Sequence, residues 1–363
     1  MKAACFFGNH DVRVEEVDEP AIEHPTDALV RATLGAICGS DLHYYHAGEE
    51  LGFPAGVRTG HECLGTVEEV GGEVTEFSRG DRVLVFPLPV DGTCDYCRDG
   101  AWPCAAGAGA FGYGPGFWPY GGDVQGCQSE MLRVPFADGT LTRMPEAVAG
   151  PEHEPALLTC IDNFSTAWHG AVMARLAPGQ NVFVIGDGGV GLCSAHAAKA
   201  KGADQIICLG HHGDRLSIAS EMGATAVINS RDDEEVREHI MEATGGQGVH
   251  VVLQTISGEE PMALSQACVR HGGVISCLGM EQFLGKVPGV DWIDQWTRNI
   301  TLTGGIQPGP VYVAELAGLV AEGRIDPSPI FTHTLPLGQA AEGYRMMAER
   351  VEGVVKVALS PGG

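Results

Sequence analysis

The chain has 363 residues, 44% of them hydrophobic, and a formal charge of −25 at pH 7 from 22 basic and 47 acidic side chains. That length supports one large domain or two ordinary ones. The charge argues against a nucleic-acid partner, because a phosphate backbone calls for a basic patch and no Lys/Arg cluster occurs; no apolar run approaches the roughly 20 residues that cross a bilayer, which argues against a membrane partner.

Only five of the basic residues are lysine. An acidic, lysine-poor surface fits adaptation to salt, and it fits equally a genome that favours Arg codons; both readings stay open. Met1–Asp11 has no signal-peptide pattern, since its apolar stretch is short and acid follows at once. Twelve cysteines without a secretion signal are expected to be reduced thiols and metal ligands rather than a disulfide framework, which predicts a cytoplasmic location.

In chain order, 28–33, 65–70 and 81–86 are short β-branched runs separated by turn signals such as Gly80-Asp81 and Asp91-Gly92. The N-terminal region up to about residue 150 reads as a mostly β domain. Within it, Cys38-Gly-Ser-Asp-Leu-His43 and Gly60-His61-Glu62 bring a thiol, a hydroxyl, two imidazoles and two carboxylates close together in sequence. Zinc prefers thiolate and imidazole, and a catalytic zinc keeps one position open. Cys38 and His61 are therefore candidate ligands, and Ser40 and His43 are candidates for moving a proton. The stretch 105–126 is rich in Gly and aromatics (Phe111, Tyr113, Phe117, Trp118, Tyr120), has no period and reads as a long loop of the kind that carries function.

After Pro155 the pattern changes. Apolar strand 181–185 is followed by a glycine turn, a helix from about 190 to 201, strand 205–209, helix 215–222 and strand 226–228. Runs 249–253 and 273–278 are further buried strands, 300–303 another, and 311–322 an amphipathic helix. Alternating strands and helices predict an α/β doubly wound parallel sheet. The acidic run Asp232–Glu235 reads as a solvated helix N-terminus.

Gly186-Asp-Gly188-Gly189-Val190-Gly191 is a G-x-G-x-x-G fingerprint, and it follows a strand and opens a helix, the context that gives the pattern its mechanism. The first glycine allows the tight turn, the second admits a pyrophosphate, and the third lets helix and strand pack closely. NAD readers usually place an acid directly after the second strand. Here that end reads Leu209-Gly210-His211-His212-Gly213-Asp214-Arg215. Gly210 leaves space, and His211, His212 and Arg215 suit a 2′-phosphate. The expected cofactor is NADP(H), with NAD(H) the alternative if Asp214 reaches the ribose.

With these motifs together, the chain resembles the zinc-dependent medium-chain alcohol dehydrogenase family over nearly its full length. The resemblance implies a mostly β, GroES-like catalytic domain over 1–165 and 307–363, a Rossmann domain over 166–306, and an active site in the cleft at the strand C-termini. It implies a catalytic zinc held by Cys38, His61 and Asp162, with Glu62 a nearby and sometimes coordinating carboxylate. Cys160 is the rival to Asp162, weighed against the reading of a buried structural thiol. Asp41 would orient the His61 imidazole. Ser40 and His43 would relay the proton. Relatives often carry a structural zinc on four cysteines. Here Asp91, Cys94, Cys97 and Cys104 match that segment with Asp in the first position and the last spacing one residue short, and Cys127 is a substitute ligand.

The implied activity is hydride transfer between an alcohol/carbonyl pair and NADP(H), by a homodimer or homotetramer. Alternatives are a sugar, polyol or formaldehyde-type dehydrogenase of the same family, a non-catalytic NADPH-binding protein, and a zinc-sensing scaffold. Phe117, Trp118 and Trp292 are candidates for lining a substrate pocket, while His153 and His169 read as local structure.

Overall fold

A computed structural model describes residues 1–100, 104, 109–113, 124–279 and 289–362. Phe117, Trp118 and Tyr120 lie outside the described residues. The chain forms two compact units, Met1–Asp162 with Gln307–Gly363, and Asn163–Ile306. The division falls between Asp162 and Asn163, where the sequence places it at 165/166.

The first unit begins with the hairpin β1 (Lys2–Gly8) and β2 (Asp11–Glu16). Then come β3 (Ala28–Ile37), α1 (Asp41–Ala47), β4 (Glu62–Val70), β5 (Arg82–Val85), α2 (Asp95–Arg98), β6 (Met131–Val134), α3 (Ala137–Thr140), β7 (Leu141–Arg143) and α4 (Glu154–Ile161). β3 is buried along most of its length, as expected of a strand that pairs with β4 and β6. Val30, Cys63, Val67, Val83, Val85, Phe111, Cys127 and Leu132 form the core beneath these strands.

The second unit runs α5 (Asn163–Met173), β8 (Asn181–Ile185), α6 (Gly189–Ala200), β9 (Gln205–Gly210), α7 (Gly213–Met222), β10 (Ala226–Asn229), α8 (Asp233–Ala243), β11 (Val249–Gln254), α9 (Glu259–Cys268), β12 (Val269–Cys277), α10 (Trp292–Thr297) and β13 (Thr301–Gly304). Its strands make one sheet in the order β10-β9-β8-β11-β12-β13, with every pairing parallel. The sheet's order reverses between β8 and β11, a topological switch point of the doubly wound kind. Val182, Phe183, Val184 and Ile185 of β8 are all buried, and each such side chain contributes about 1.5–3 kcal/mol relative to exposure, so this central strand anchors the unit. The acidic run does cap α8: Asp232 accepts from the backbone N–H of Glu234 and Glu235, and all four acids are exposed.

The chain then returns to the first unit as α11 (Pro310–Ala321), β14 (Phe331–Pro336), α12 (Ala340–Ala348) and β15 (Lys356–Ser360). β15 pairs antiparallel with β3, Val357 opposite Ile37, which completes the sheet β14-β15-β3-β4-β5-β7. His169 lies within α5, which begins at Asn163. Trp292 stands exposed on α10. No helix among the described residues is long and apolar enough to cross a membrane.

Candidate metal centres and nucleotide site

Strand register builds the first site. β3 ends at Ile37, so Cys38 leaves the sheet beside the start of β4, where Ala36 pairs with Glu62. Gly60 precedes His61 with φ +86°, and a Cβ there would lie 2.3 Å from Gln128 Cγ, so only glycine fits this approach. Asp162 follows α4 as its C-cap with non-helical dihedrals, which turns its carboxylate out of the helix.

These elements bring Cys38, His61, Glu62 and Asp162 together, with one ligand atom of each within 4.8 Å of the others. Cys38 Sγ lies 3.2 Å and His61 Nε2 3.4 Å from Asp162 Oδ2. Zinc bond lengths in a tetrahedral shell place such donors roughly 3.4–3.6 Å apart, so the donor set and its spacing fit zinc. His61 Nδ1 lies 3.1 Å from Asp41 Oδ1, although the two are out of line for a linear hydrogen bond. The other Asp41 oxygen accepts from the Cys38 backbone N–H at 2.9 Å.

The charges are strongly coupled. Burial works against a proton on His61, but the Asp41 carboxylate outweighs it and lifts the imidazole well above its ordinary range. Burial also pushes the Asp162 carboxyl up, but the His61 imidazole and then Lys356 bring it well below the carboxylate range. Burial, foremost, and the Asp162 charge raise the Cys38 thiol. Glu62 is engaged elsewhere: its Oε1 is 2.6 Å from Lys356 Nζ, and both residues are buried. Lys356 also donates to the Ile37 carbonyl at 3.3 Å. Burial pushes the Glu62 carboxyl up and the ammonium counters that push.

Ser40 is the N-cap of α1, yet its hydroxyl does not cap the helix. Ser40 Oγ instead lies 3.4 Å from His61 Nε2. His43 stands three residues further along, on the same helix face. Tyr113 is buried against His61, ring centroids 5.7 Å apart; burial raises its phenol, and Ser40 is among its hydrogen-bond partners. Cys160 is a buried thiol donating to the Ala156 carbonyl, and burial pushes it up to about 12; it stands outside the cluster.

Asp91, Cys94, Cys97 and Cys104 form a second cluster. Cys94 Sγ is 3.5 Å from Cys97 Sγ and 3.9 Å from Cys104 Sγ, too far for disulfides and close to the ~3.8 Å between thiolates on one zinc. Burial would raise Asp91, but the backbone N–H groups of Cys94 and Thr93 hold its carboxyl down at about 2. Four donors at this spacing fit a closed zinc site. Cys127 is not among them: it lies in the β-unit core, where burial and Cys63 raise its thiol.

The fingerprint residues take their expected places. Gly186 has φ +118°, and a Cβ on Gly191 would lie 2.0 Å from the Gly186 carbonyl oxygen, whereas one on Gly188 would meet nothing within 4 Å. Close packing at the third glycine and open space at the second fit a dinucleotide pyrophosphate. The strand end differs from expectation. The space at Gly210 is filled, because the Asp187 carboxylate lies against it. Asp187 Oδ2 accepts from the backbone N–H of His211 (2.7 Å) and His212 (3.0 Å) and lies 2.8 Å from His212 Nδ1. Arg215 stands 3.8 Å from Oδ1. Asp214 is in the first turn of α7. Asp187, Lys356, Tyr113 and Gln128 are the residues the sequence did not single out for these roles. For Asp187 the signal was present, as the variable position inside the fingerprint.

The profile described as alcohol dehydrogenase GroES-like domain matches residues 24–146, and that described as zinc-binding dehydrogenase matches 189–322. An uncharacterised zinc-type alcohol dehydrogenase-like protein of Bacillus subtilis is 30% identical, covering 99% of this chain and 100% of its own. An alcohol dehydrogenase of Cupriavidus necator is 31% identical over 99% of both chains. A sorbitol dehydrogenase of Bacillus subtilis is 32% identical over 77% of this chain and 75% of its own. Among solved structures, alcohol dehydrogenase TADH from Thermus sp. ATN1 superposes with TM-score 0.89 at 34% identity, covering 99% of each chain. A zinc-binding dehydrogenase from Sinorhizobium meliloti, bound to NADP, gives TM-score 0.80 at 25% identity over 99% of each chain. The chain belongs to the zinc-dependent medium-chain dehydrogenase/reductase family, and it is a zinc-dependent oxidoreductase of alcohols.

Proposed function

We propose that this chain interconverts an alcohol and its carbonyl compound with NADP(H) as preferred cofactor, at a zinc held by Cys38, His61 and Asp162. The convergence of those three donor atoms on one point carries the reading. Zinc bound there would polarise the substrate oxygen and stabilise negative charge on it while the nicotinamide exchanges hydride. Asp41 orients the His61 imidazole. Ser40, its hydroxyl left uncommitted to the helix cap, gives or takes the proton at the substrate oxygen, and His43 passes it on along α1. Lys356 holds Glu62 in an ion pair, which leaves Glu62 the fourth, occasional donor rather than a fixed one.

Asp91, Cys94, Cys97 and Cys104 hold a second, structural zinc. Gly186, Gly188, Gly189, Val190 and Gly191 receive the pyrophosphate, and Gly210, His211, His212 and Arg215 face the adenosine ribose. The preference for NADP(H) rests on His211, His212 and Arg215 beside that ribose, while the Asp187 carboxylate of the fingerprint is bound by the backbone N–H groups of His211 and His212 and by the His212 side chain. A polyol or sugar alcohol is the second substrate reading, favoured by the likeness to a sorbitol dehydrogenase. The site is cytoplasmic and homo-oligomeric in this reading.

The test is a nicotinamide-absorbance screen of simple alcohols, polyols and aldehydes with both cofactors on zinc-loaded protein. Turnover with higher catalytic efficiency for NADP(H) is expected. Equal efficiency with NAD(H) overturns the preference, and cofactor binding without any turnover favours a non-catalytic role.

A further inference from the structure

We infer that Gln128 is a positioning residue for the catalytic metal centre, linking Asp41 to a buried tyrosine pair, Tyr344 on α12 and Tyr44 on α1; this rests on the zinc reading of Cys38, His61 and Asp162. Gln128 sits in the segment before β6 and is buried. Its backbone is pinned on both sides: its carbonyl accepts from Ala4 N at 2.8 Å, and its N–H donates to Thr59 O at 3.0 Å. The side chain then meets the neighbours of the metal site. Nε2 donates to the Ala36 carbonyl at 2.9 Å and to Asp41 Oδ2 at 3.2 Å. Oε1 accepts from Thr59 Oγ1 at 2.7 Å and from the Tyr344 hydroxyl at 2.9 Å.

Both amide donors and both acceptor positions are therefore used. The orientation of the amide is fixed by its partners, since a flipped amide would set its oxygen against the Ala36 carbonyl and the Asp41 carboxylate. The polarity continues outward. Tyr344 gives its one proton to Gln128, so Tyr44, 2.7 Å away, donates to Tyr344. A one-way chain runs Tyr44 to Tyr344 to Gln128 to Asp41, and Asp41 faces the ligand His61. The amide also packs against Gly60, and Gly112 lies close to Gly60 as well, since a Cβ on Gly112 would lie 2.5 Å from the Gly60 oxygen. Gln128 thus restrains both the residue that orients His61 and the backbone that precedes it.

Partners that orient a metal ligand alter metal affinity by about 10–100-fold when removed. Gln128→Leu removes all four side-chain hydrogen bonds of the amide and is expected to release the catalytic zinc to a chromophoric chelator about tenfold faster. Tyr344→Phe, which keeps the ring, should give a smaller acceleration, and Tyr44→Phe, one bond further out, the smallest. The cobalt-substituted protein should show a shifted ligand-field spectrum in the same order. Loss from the cluster of Asp91, Cys94, Cys97 and Cys104 serves as the internal control and should not change. Wild-type zinc release and an unchanged cobalt spectrum in Gln128→Leu overturn the inference. So does an acceleration that follows the loss of thermal stability across the three variants rather than their order along the chain. If Gln128→Leu does not fold, the comparison of Tyr344→Phe with Tyr44→Phe decides alone. Failure of the zinc reading is distinguishable, because wild-type protein would then hold no zinc that Cys38→Ser removes.

Discussion

The two metal-competent clusters of the first unit are built in opposite ways. Asp91, Cys94, Cys97 and Cys104 come from one short stretch, and a local turn with two backbone N–H groups on Asp91 shapes them. Cys38, His61 and Asp162 come from three separate elements, and their geometry depends on strand register and on buried partners as distant in sequence as Lys356. The first supplies four strong donors and closes on itself. The second supplies three unlike donors plus a carboxylate tied to an ammonium, with a serine hydroxyl at its edge. A site closed by four donors holds a loop together; one with three fixed donors leaves room for a reacting oxygen.

The largest effect that separates the two is on turnover. Cys38→Ser should lower kcat/KM by at least about 10³-fold, since the metal is asked for several kcal/mol of transition-state stabilisation and each 1.36 kcal/mol is tenfold. Cys94→Ser should leave turnover per folded molecule near wild type. Comparable losses in both variants would erase the distinction between a catalytic and a structural site.

Next in size is the cost of breaking the buried pair behind the catalytic cluster. Lys356→Met leaves the Glu62 carboxyl buried without its cation and should destabilise by about 3–5 kcal/mol in urea unfolding. Adding Glu62→Gln should recover part of that loss. A double variant as unstable as the single one would show that packing, not charge, sets the cost.

Cys94→Ser should also lower the zinc content from two ions to one and reduce Tm by roughly 5–10 °C, as expected when a loop loses its metal staple. An unchanged zinc content in this variant would remove the second site.

The smallest effect is in the pH dependence of loading. Without metal, His61 and Cys38 hold protons, because both have raised pKa values, whereas Asp162 is already ionised. Zinc must displace about two protons there, so its affinity for the catalytic cluster rises with pH. Chelator competition across pH should resolve that slope. An affinity for this cluster that does not change with pH would contradict the assigned donor set.

Much of this architecture is legible in the sequence because its signals are local. Strand 181–185, the fingerprint and the helix after it follow from apolar runs and glycines within a few residues, and Cys38 and His61 stand out by residue type. What escapes is what register brings together over long separations. Lys356 reads as one more surface lysine until β15 pairs with β3 and sets it against Glu62. Asp187 reads as filler within the fingerprint until the parallel pairing of β8 with β9 lays it on Gly210. Gln128 and Tyr344 carry no motif at all, and only burial and a saturated hydrogen-bond set mark them.

The most direct test of the central claim is X-ray absorption at the zinc edge on Cys94→Ser protein loaded with one zinc, which removes the cysteine cluster as a competitor. The expected first shell has a single sulfur, from Cys38, with nitrogen and oxygen completing it. A shell rich in sulfur, or a protein that retains no tight zinc, would contradict the assignment of Cys38, His61 and Asp162 as the catalytic ligands.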